Sequence, residues 1–296
     1  MTEPTVDATP TTRVGSVRLL LRNPVTVAGA AVLVVVALIA VGASWLVPYG
    51  INDVDVPSAL RGPSGAHWFG TDELGRDVFS RVLVAIQASM QVAVVSVAFA
   101  VVVGVTVGVV AGYRGGWLDT GVMRVVDVMF AFPVLLLALA IVAVLGPGVT
   151  TTMLAIGVVY TPVFARVARA STLGVRVEPF VQVSRSMGTG HRYVLVHHVL
   201  PNVAGPLIVQ TSLSLAFAIL SEAALSFLGL GIQPPEPSLG RMIFDAQGFV
   251  TLAWWMAVFP GAAIFVIVLA FNLVGDGLRD VLDPKQRTQA EARRSR

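Results

Sequence analysis

Runs free of charged side chains cover residues 23–52, 82–113, 128–165, 193–221 and 246–275. A helix crossing the hydrocarbon core of a membrane needs about 20 mainly apolar residues, because an unpaired backbone group there costs several kcal/mol. Four of these runs suit one helix each. The run 128–165 has 38 residues and is interrupted by Gly146-Pro147-Gly148, so it reads as a hairpin of two spans. The pattern predicts helices over 25–47, 86–112, 124–145, 150–168, 207–230 and 256–276. The fold class is therefore an all-α integral membrane protein with six transmembrane helices and both termini on one side.

The few charges orient these spans. One side of the map carries Arg13, Arg18, Arg22, Arg114, Arg124, Arg166, Arg169, Arg176, Arg185, Arg192, Arg279, Lys285, Arg287, Arg293, Arg294 and Arg296. The other carries only Arg61, Arg76, Arg81 and Arg241. Lys and Arg accumulate in cytoplasmic loops, so the first side, with net charge +7, is cytoplasmic and holds both termini. The outer side sums to −3. The organisation that follows is a cytoplasmic tail 1–24, a first helix 25–47, an extracytoplasmic loop 48–85, a five-helix core 86–276 and a cytoplasmic tail 277–296. Within the core, 170–206 is a cytoplasmic loop. The first apolar stretch is longer than the 7–15 residues of a signal-peptide core, so it is expected to stay as a signal-anchor helix. Trp45, Trp117 and Trp254-Trp255 fall where an aromatic belt forms.

Composition agrees. Of the 296 residues, 55% are hydrophobic and 12% charged, against about 25% charged in soluble domains, and mean hydropathy is +0.81. A soluble domain and a disordered chain are both excluded. The pI of 9.8 reflects membrane sidedness and implies no nucleic-acid partner. Arginine so outnumbers the single lysine that GC-rich, bacterial coding is the simplest source.

Several chemistries are excluded next. Cysteine is absent, which removes thiolate and disulfide chemistry. Lys285 follows Pro284 rather than Gly, so the chain has no phosphate-binding P-loop. ATP-driven work would then fall to a partner. His67, His191, His197 and His198 lie outside the spans, with no His-Glu-x-x-His pair and no Gly-x-Ser-x-Gly elbow. The expectation is a chain without enzymatic activity, metal site or cofactor of its own.

Within the spans, Glu222 and its polar companion Asn272 either line a translocation path or bond to neighbouring helices. Gly104, Gly108 and Gly112 form a small-x-x-x-small face, for packing within the chain or for a dimer seam. Pro133 and Pro162 are expected to kink the third and fourth spans. The cytoplasmic segment after the fourth span is the most informative. Glu178-Pro179 opens a short helix, on which Phe180, Val183 and Met187 share a face while Gln182, Arg185 and Ser186 point elsewhere. Gly188 ends it, and a second short helix near 190–199 runs to Leu200-Pro201. Such a helix–Gly–helix unit is expected to dock another protein.

Gly188 and Leu200-Pro201 have the spacing of the Glu-Ala-Ala loop in permease subunits of bacterial ABC importers, which this chain resembles. The triplet itself reads Gln182-Val183-Ser184, and His198 stands where an apolar residue is usual. Further stretches resemble the C-type permeases of dipeptide, oligopeptide and nickel importers. They are Gly70-Thr71-Asp72-Glu73-Leu74-Gly75-Arg76-Asp77 with Ser80-Arg81, then Gly115-Gly116-Trp117-Leu118-Asp119, and Arg124-Val125-Val126-Asp127. Ser226-Phe227-Leu228-Gly229-Leu230-Gly231 through Pro235 and Gly275-Asp276-Gly277-Leu278-Arg279-Asp280 complete the set over about 20–284.

The resemblance implies the type I importer fold and half of a substrate path shared with a B-type permease. It implies ATP-binding cassette subunits, separate or fused, that carry ATP and Mg, and an extracytoplasmic peptide-binding protein. Coupling to the ATPases would rest on Glu178, Phe180, Gln182, Val183, Ser184, Arg185, Met187, Gly188, Leu200 and Pro201, with Arg185 pairing an acid on the ATPase. The outer motif Gly70, Thr71, Asp72, Gly75, Arg76 and Asp77 either caps the bundle or touches the binding protein. Short peptides are the implied cargo, with nickel, glutathione or another small solute as alternatives. A stand-alone ion-coupled transporter is the rival from another class.

Overall fold

The computed structural model describes residues 23–282. The tails bearing Arg13, Arg18, Arg22, Lys285 and the later arginines lie outside the described residues, and the sidedness of the termini with them.

Helix α1 is Pro24–Leu46. Asn23 caps it, accepting from the Val25 N–H at 3.0 Å, and Pro24 needs no partner for a donor it lacks. It lies along the last helix, where Gly29 meets Leu273 and Ala270 closely. Otherwise α1 is mostly exposed, as a lipid-facing helix is.

Helix α2 is Val78–Arg114, 37 residues long, and starts eight residues before the predicted 86. The cause is local. Asp77 is its N-cap, accepting from the Ser80 N–H at 2.8 Å, and Arg81 is buried in the first turn with Ile51 O as acceptor at 2.8 Å. A charge that reads as the end of an apolar run is here folded into the helix.

The third span departs most from expectation. Instead of one kinked helix there are two, α3 Gly116–Phe130 and α4 Val134–Leu145, meeting at 90°. Pro133 has no N–H and clashes with a helical residue before it, so the helix stops at Phe130 and restarts at Val134. At 1.5 Å per residue α4 is about 18 Å long, too short to cross alone. Helix α5, Val149–Val175, passes through Pro162 with that residue buried inside it.

A short α6, Pro179–Ser186, follows. The second short helix and the fifth span are not separate: α7 runs without a break from His191 to Phe227. A π-turn at Leu195–Val199, closed by Leu200 N–H to Leu195 O, carries the helix past Pro201. The Asn202 side chain then takes the His198 carbonyl at 2.6 Å. Helix α8, Leu239–Asp245, lies between α7 and α9, and α9 is Trp255–Leu282. No β-strand occurs among the described residues, where the sole bridge joins Thr71 and Asp77.

Five helices are long and apolar enough to cross a membrane, and the bent α3–α4 pair makes six. The core is the parallel pair α2–α5, with α7 and α9 against it. The glycine stripe explains the closeness: a Cβ on Gly104 would sit 2.6 Å from Thr161 O and one on Gly112 3.0 Å from Arg169 O. On Gly108 it would collide with Ala165 O. The stripe thus packs inside the chain rather than forming a seam with a second copy. The alternating helix directions collect 47–77 and 228–254 at one end, and 115 and 176–190 at the other.

Candidate functional site

At the end that holds residue 188, α6 bridges α5 and α7 as an elbow. Val181 is its anchor: fully buried, in the core cluster that also holds Val194 and Val199. Phe180, Val183 and Met187 stand out from the surface at 43%, 58% and 80% exposure. Sequence spacing found that outer face and missed Val181, which is one residue off it. Its signal was an apolar side chain opposite an apolar stripe on so short a helix.

Gly188 closes α6 with φ +80°. Its N–H donates to Arg185 O at 3.0 Å and Thr189 N–H to Ser184 O at 3.2 Å, the paired bonds of a Schellman turn. Gln182 Nε2 donates to Val177 O at 2.8 Å, and Ser186 Oγ to Gln182 O at 3.0 Å. Glu178 occupies the N-cap position but its carboxylate makes no capping bond. The Arg185 guanidinium lies 5.7 Å from the ring centre of Tyr113, whose hydroxyl is 3.2 Å from His191 Nδ1. Leu200 and Pro201 are set apart, about 15 Å along α7 from the elbow at 1.5 Å per residue.

At the opposite end the predicted outer motif is assembled into a cap. Thr71, Asp72 and Asp77 are buried. Asp72 Oδ1 accepts the N–H groups of Leu74 and Arg76, both at 2.9 Å. Its Oδ2 pairs with Arg76 Nε at 2.6 Å and Arg81 Nε at 3.7 Å. Thr71 Oγ1 donates to Ser58 O at 2.5 Å, and Thr71 O accepts from Trp255 Nε1 at 3.0 Å, tying the loop to α9. Asp77 also faces His67 Nδ1 at 2.9 Å. Gly70 and Gly75 have φ of +73° and +78°. At Gly75 any Cβ would collide with the Asp55 carbonyl.

Glu222 lies near the end of α7 that leads into 228–254, fully buried. Ser89 Oγ of α2 donates to one carboxylate oxygen at 2.6 Å and Ser226 Oγ to the other at 2.7 Å. Asn272 is not beside it in these bonds; its amide donates to Val268 O within α9 at 2.8 Å. Among the described residues no group of three or more His, Asp or Glu is arranged to hold a metal.

A bundle of membrane-crossing helices with a short apolar knuckle at one end and a self-bonded polar cap at the other defines an integral membrane subunit of the type I ABC importer permease fold. The backbone is similar to that of the methionine ABC transporter MetNI in an inward-facing conformation. That likeness has TM-score 0.58 and 18% identity, over 69% of this chain and 97% of that one. Residues 104–288 match the family of binding-protein-dependent transport system inner membrane components. Residues 15–63 match the N-terminal transmembrane domain of oligopeptide transport permease C. The chain belongs to this permease family. It is 42% identical over 269 residues to the dipeptide transport system permease protein DppC of Alkalihalophilus pseudofirmus, covering 91% of this chain and 88% of that one. It is 44% identical over 265 residues to the glutathione transport system permease protein GsiD of Escherichia coli, covering 89% and 88%.

Proposed function

We propose that this chain is one of two permease halves of an ATP-driven importer of short peptides. The observation that carries the reading is the knuckle of Phe180, Val183 and Met187, apolar and exposed on a helix anchored by Val181. An exposed apolar trio on a short helix at a bundle end is a seat for another protein. ATP-binding cassette subunits would receive it and would carry the ATP and Mg. A B-type permease would complete the path, and an extracytoplasmic binding protein would deliver cargo. The dipeptide and glutathione systems of the relatives support a short peptide as that cargo.

Mechanically, α6 hangs between the ends of α5 and α7. Because α7 is continuous for 37 residues, about 55 Å, a displacement of the elbow is passed to its far end near Glu222. ATP binding would move docked elbows together and turn the cavity outward; hydrolysis would reset it. ATP supplies the difference in binding between the two states. Reconstitution tests the reading: peptide uptake that requires ATP, the ATPases, the second permease and the binding protein is expected. Gradient-driven uptake by the single chain would reject it.

A further inference from the structure

Four arginines from four separate segments converge beside the elbow. Arg114 ends α2, Arg176 follows α5, Arg185 lies on α6, and Arg192 opens α7. Arg114, Arg176 and Arg185 line a cleft of about 880 Å³ floored by Gly188–Gly190. Arg114, Arg185 and Arg192 line an adjoining pocket of about 230 Å³. Tyr113 and His191 are shared by both.

Among the described residues no carboxylate lines either space. The arginines that form ion pairs among the described residues are Arg76, Arg81, Arg166, Arg169 and Arg241, none of them here. Asp119, the acid whose charge reaches Arg176, is already held by Arg169 through two bonds. Two of the cleft cations are also held in place: Arg176 donates to Gly112 O at 2.8 Å, and Arg185 rests over Tyr113. The fold gathers positive charge that no acid among the described residues compensates, so the site suits an anion.

The second wall says which anion. The smaller pocket is lined by Val110 in the last turn of α2 and Leu195 in the first turns of α7, both on membrane-crossing helices. One side is therefore apolar, on helices long enough to cross a membrane, and the other is cationic. A free phosphate or a nucleotide matches only the second side. We propose that this cleft binds the phosphodiester headgroup of an anionic phospholipid, with the start of its acyl chains against Val110 and Leu195. Basic pockets between helices on the cytoplasmic side recognise such headgroups. Occupancy would brace α2, α5, α6 and α7 together and so make the lever between ATPase and membrane depend on lipid charge. The proposal rests on the cytoplasmic placement of the elbow but not on the nature of the cargo.

The test uses the complete transporter complex. In a chain free of native cysteine, Thr189→Cys reports the side of the membrane by labelling, and labelling from outside would overturn both this proposal and the coupling assignment. Phosphatidylglycerol retained in native mass spectra is then compared with phosphatidylcholine for the wild-type complex and for the double variant Arg114→Gln/Arg192→Gln. Selective retention of phosphatidylglycerol is expected, falling about 25-fold in the variant, at roughly fivefold for each arginine. Equal retention in wild type and variant would overturn the proposal. So would displacement of the lipid by millimolar inorganic phosphate, which identifies a free-anion site. A variant that loses its ATPase subunits while keeping its lipid would also overturn it, making the cleft a seat for acidic residues of the ATPase.

Discussion

The two ends of the bundle solve opposite problems. At the outer end the polar side chains are buried and spend their bonds on one another: Asp72 on Arg76, Asp77 on Ser80 and His67, Thr71 on Ser58. At the elbow the apolar side chains Phe180, Val183 and Met187 are exposed, and Arg114 and Arg192 have no acid among the described residues. At one end the polar side chains are almost all satisfied within the chain. The other leaves apolar and cationic side chains without partners among the described residues, which is what the proposed docking rests on. The same family resemblance marks both ends, so a recognisable motif alone does not distinguish a structural clasp from a docking surface; burial and bond satisfaction do.

The largest effect should come from breaking the clasp. Asp72→Ala leaves Arg76 and the buried Arg81 facing each other without their carboxylate. Removing one partner of a buried pair costs about 3–5 kcal/mol. The purified complex is expected to melt well below wild type while the surviving folded fraction keeps its ATPase coupling. An unchanged melting temperature with lost stimulation by the binding protein would reverse the contrast and make the outer end a docking surface.

At the elbow the signs exchange. Phe180→Ser with Met187→Ser removes exposed apolar surface, so the melting temperature should stay within the range of about 0.5 kcal/mol typical of surface changes. Loss of two interface anchors, each worth about 2 kcal/mol, should reduce ATPase-coupled uptake by more than tenfold. Coupling that survives intact would place the ATPase seat elsewhere. Gly188→Trp adds backbone strain at φ +80° and bulk beside the knuckle. It is expected to uncouple ATP hydrolysis from uptake, and unchanged assembly and coupling would refute the assignment.

The sequence made the ends of this contrast unequally legible. Helix α1 was predicted over 25–47 and is Pro24–Leu46, and α9 was predicted from 256 and starts at Trp255, because their apolar runs are bounded by turns and caps. The sequence reads a short helix near 190–199 running to Leu200-Pro201 and a separate span 207–230, whereas the π-turn at Leu195–Val199 carries one continuous helix past Pro201. The cap's motif was visible but not its geometry. No pattern along the chain shows that Gly75 runs against Asp55 O, twenty residues earlier. The cationic cleft was invisible for the same reason: Arg114 and Arg192 meet only after two crossings of the membrane.

The smallest expected effect sharpens the account of the cap. Glu73 is the one imperfect bond in it: Oε1 accepts from Arg76 at 2.9 Å, while Oε2 is enclosed without a partner. Burial, reinforced by the neighbouring Asp72 charge, raises its pKa above the ordinary carboxylate value despite Arg76. A carboxyl group whose pKa is raised by folding binds protons more tightly in the folded state. Its favourable contribution is therefore present below the unfolded value near 4.5 and is lost as pH rises through the folded value. Melting temperature should fall slightly as pH is raised from about 4 towards 7, and Glu73→Gln should flatten that slope by supplying a neutral group. Because the side chain is partly exposed, solvent screens the charge and keeps the change small. A steeper slope in Glu73→Gln than in wild type would mean that the Arg76 contact outweighs burial, and that the cap has no weak point at neutral pH.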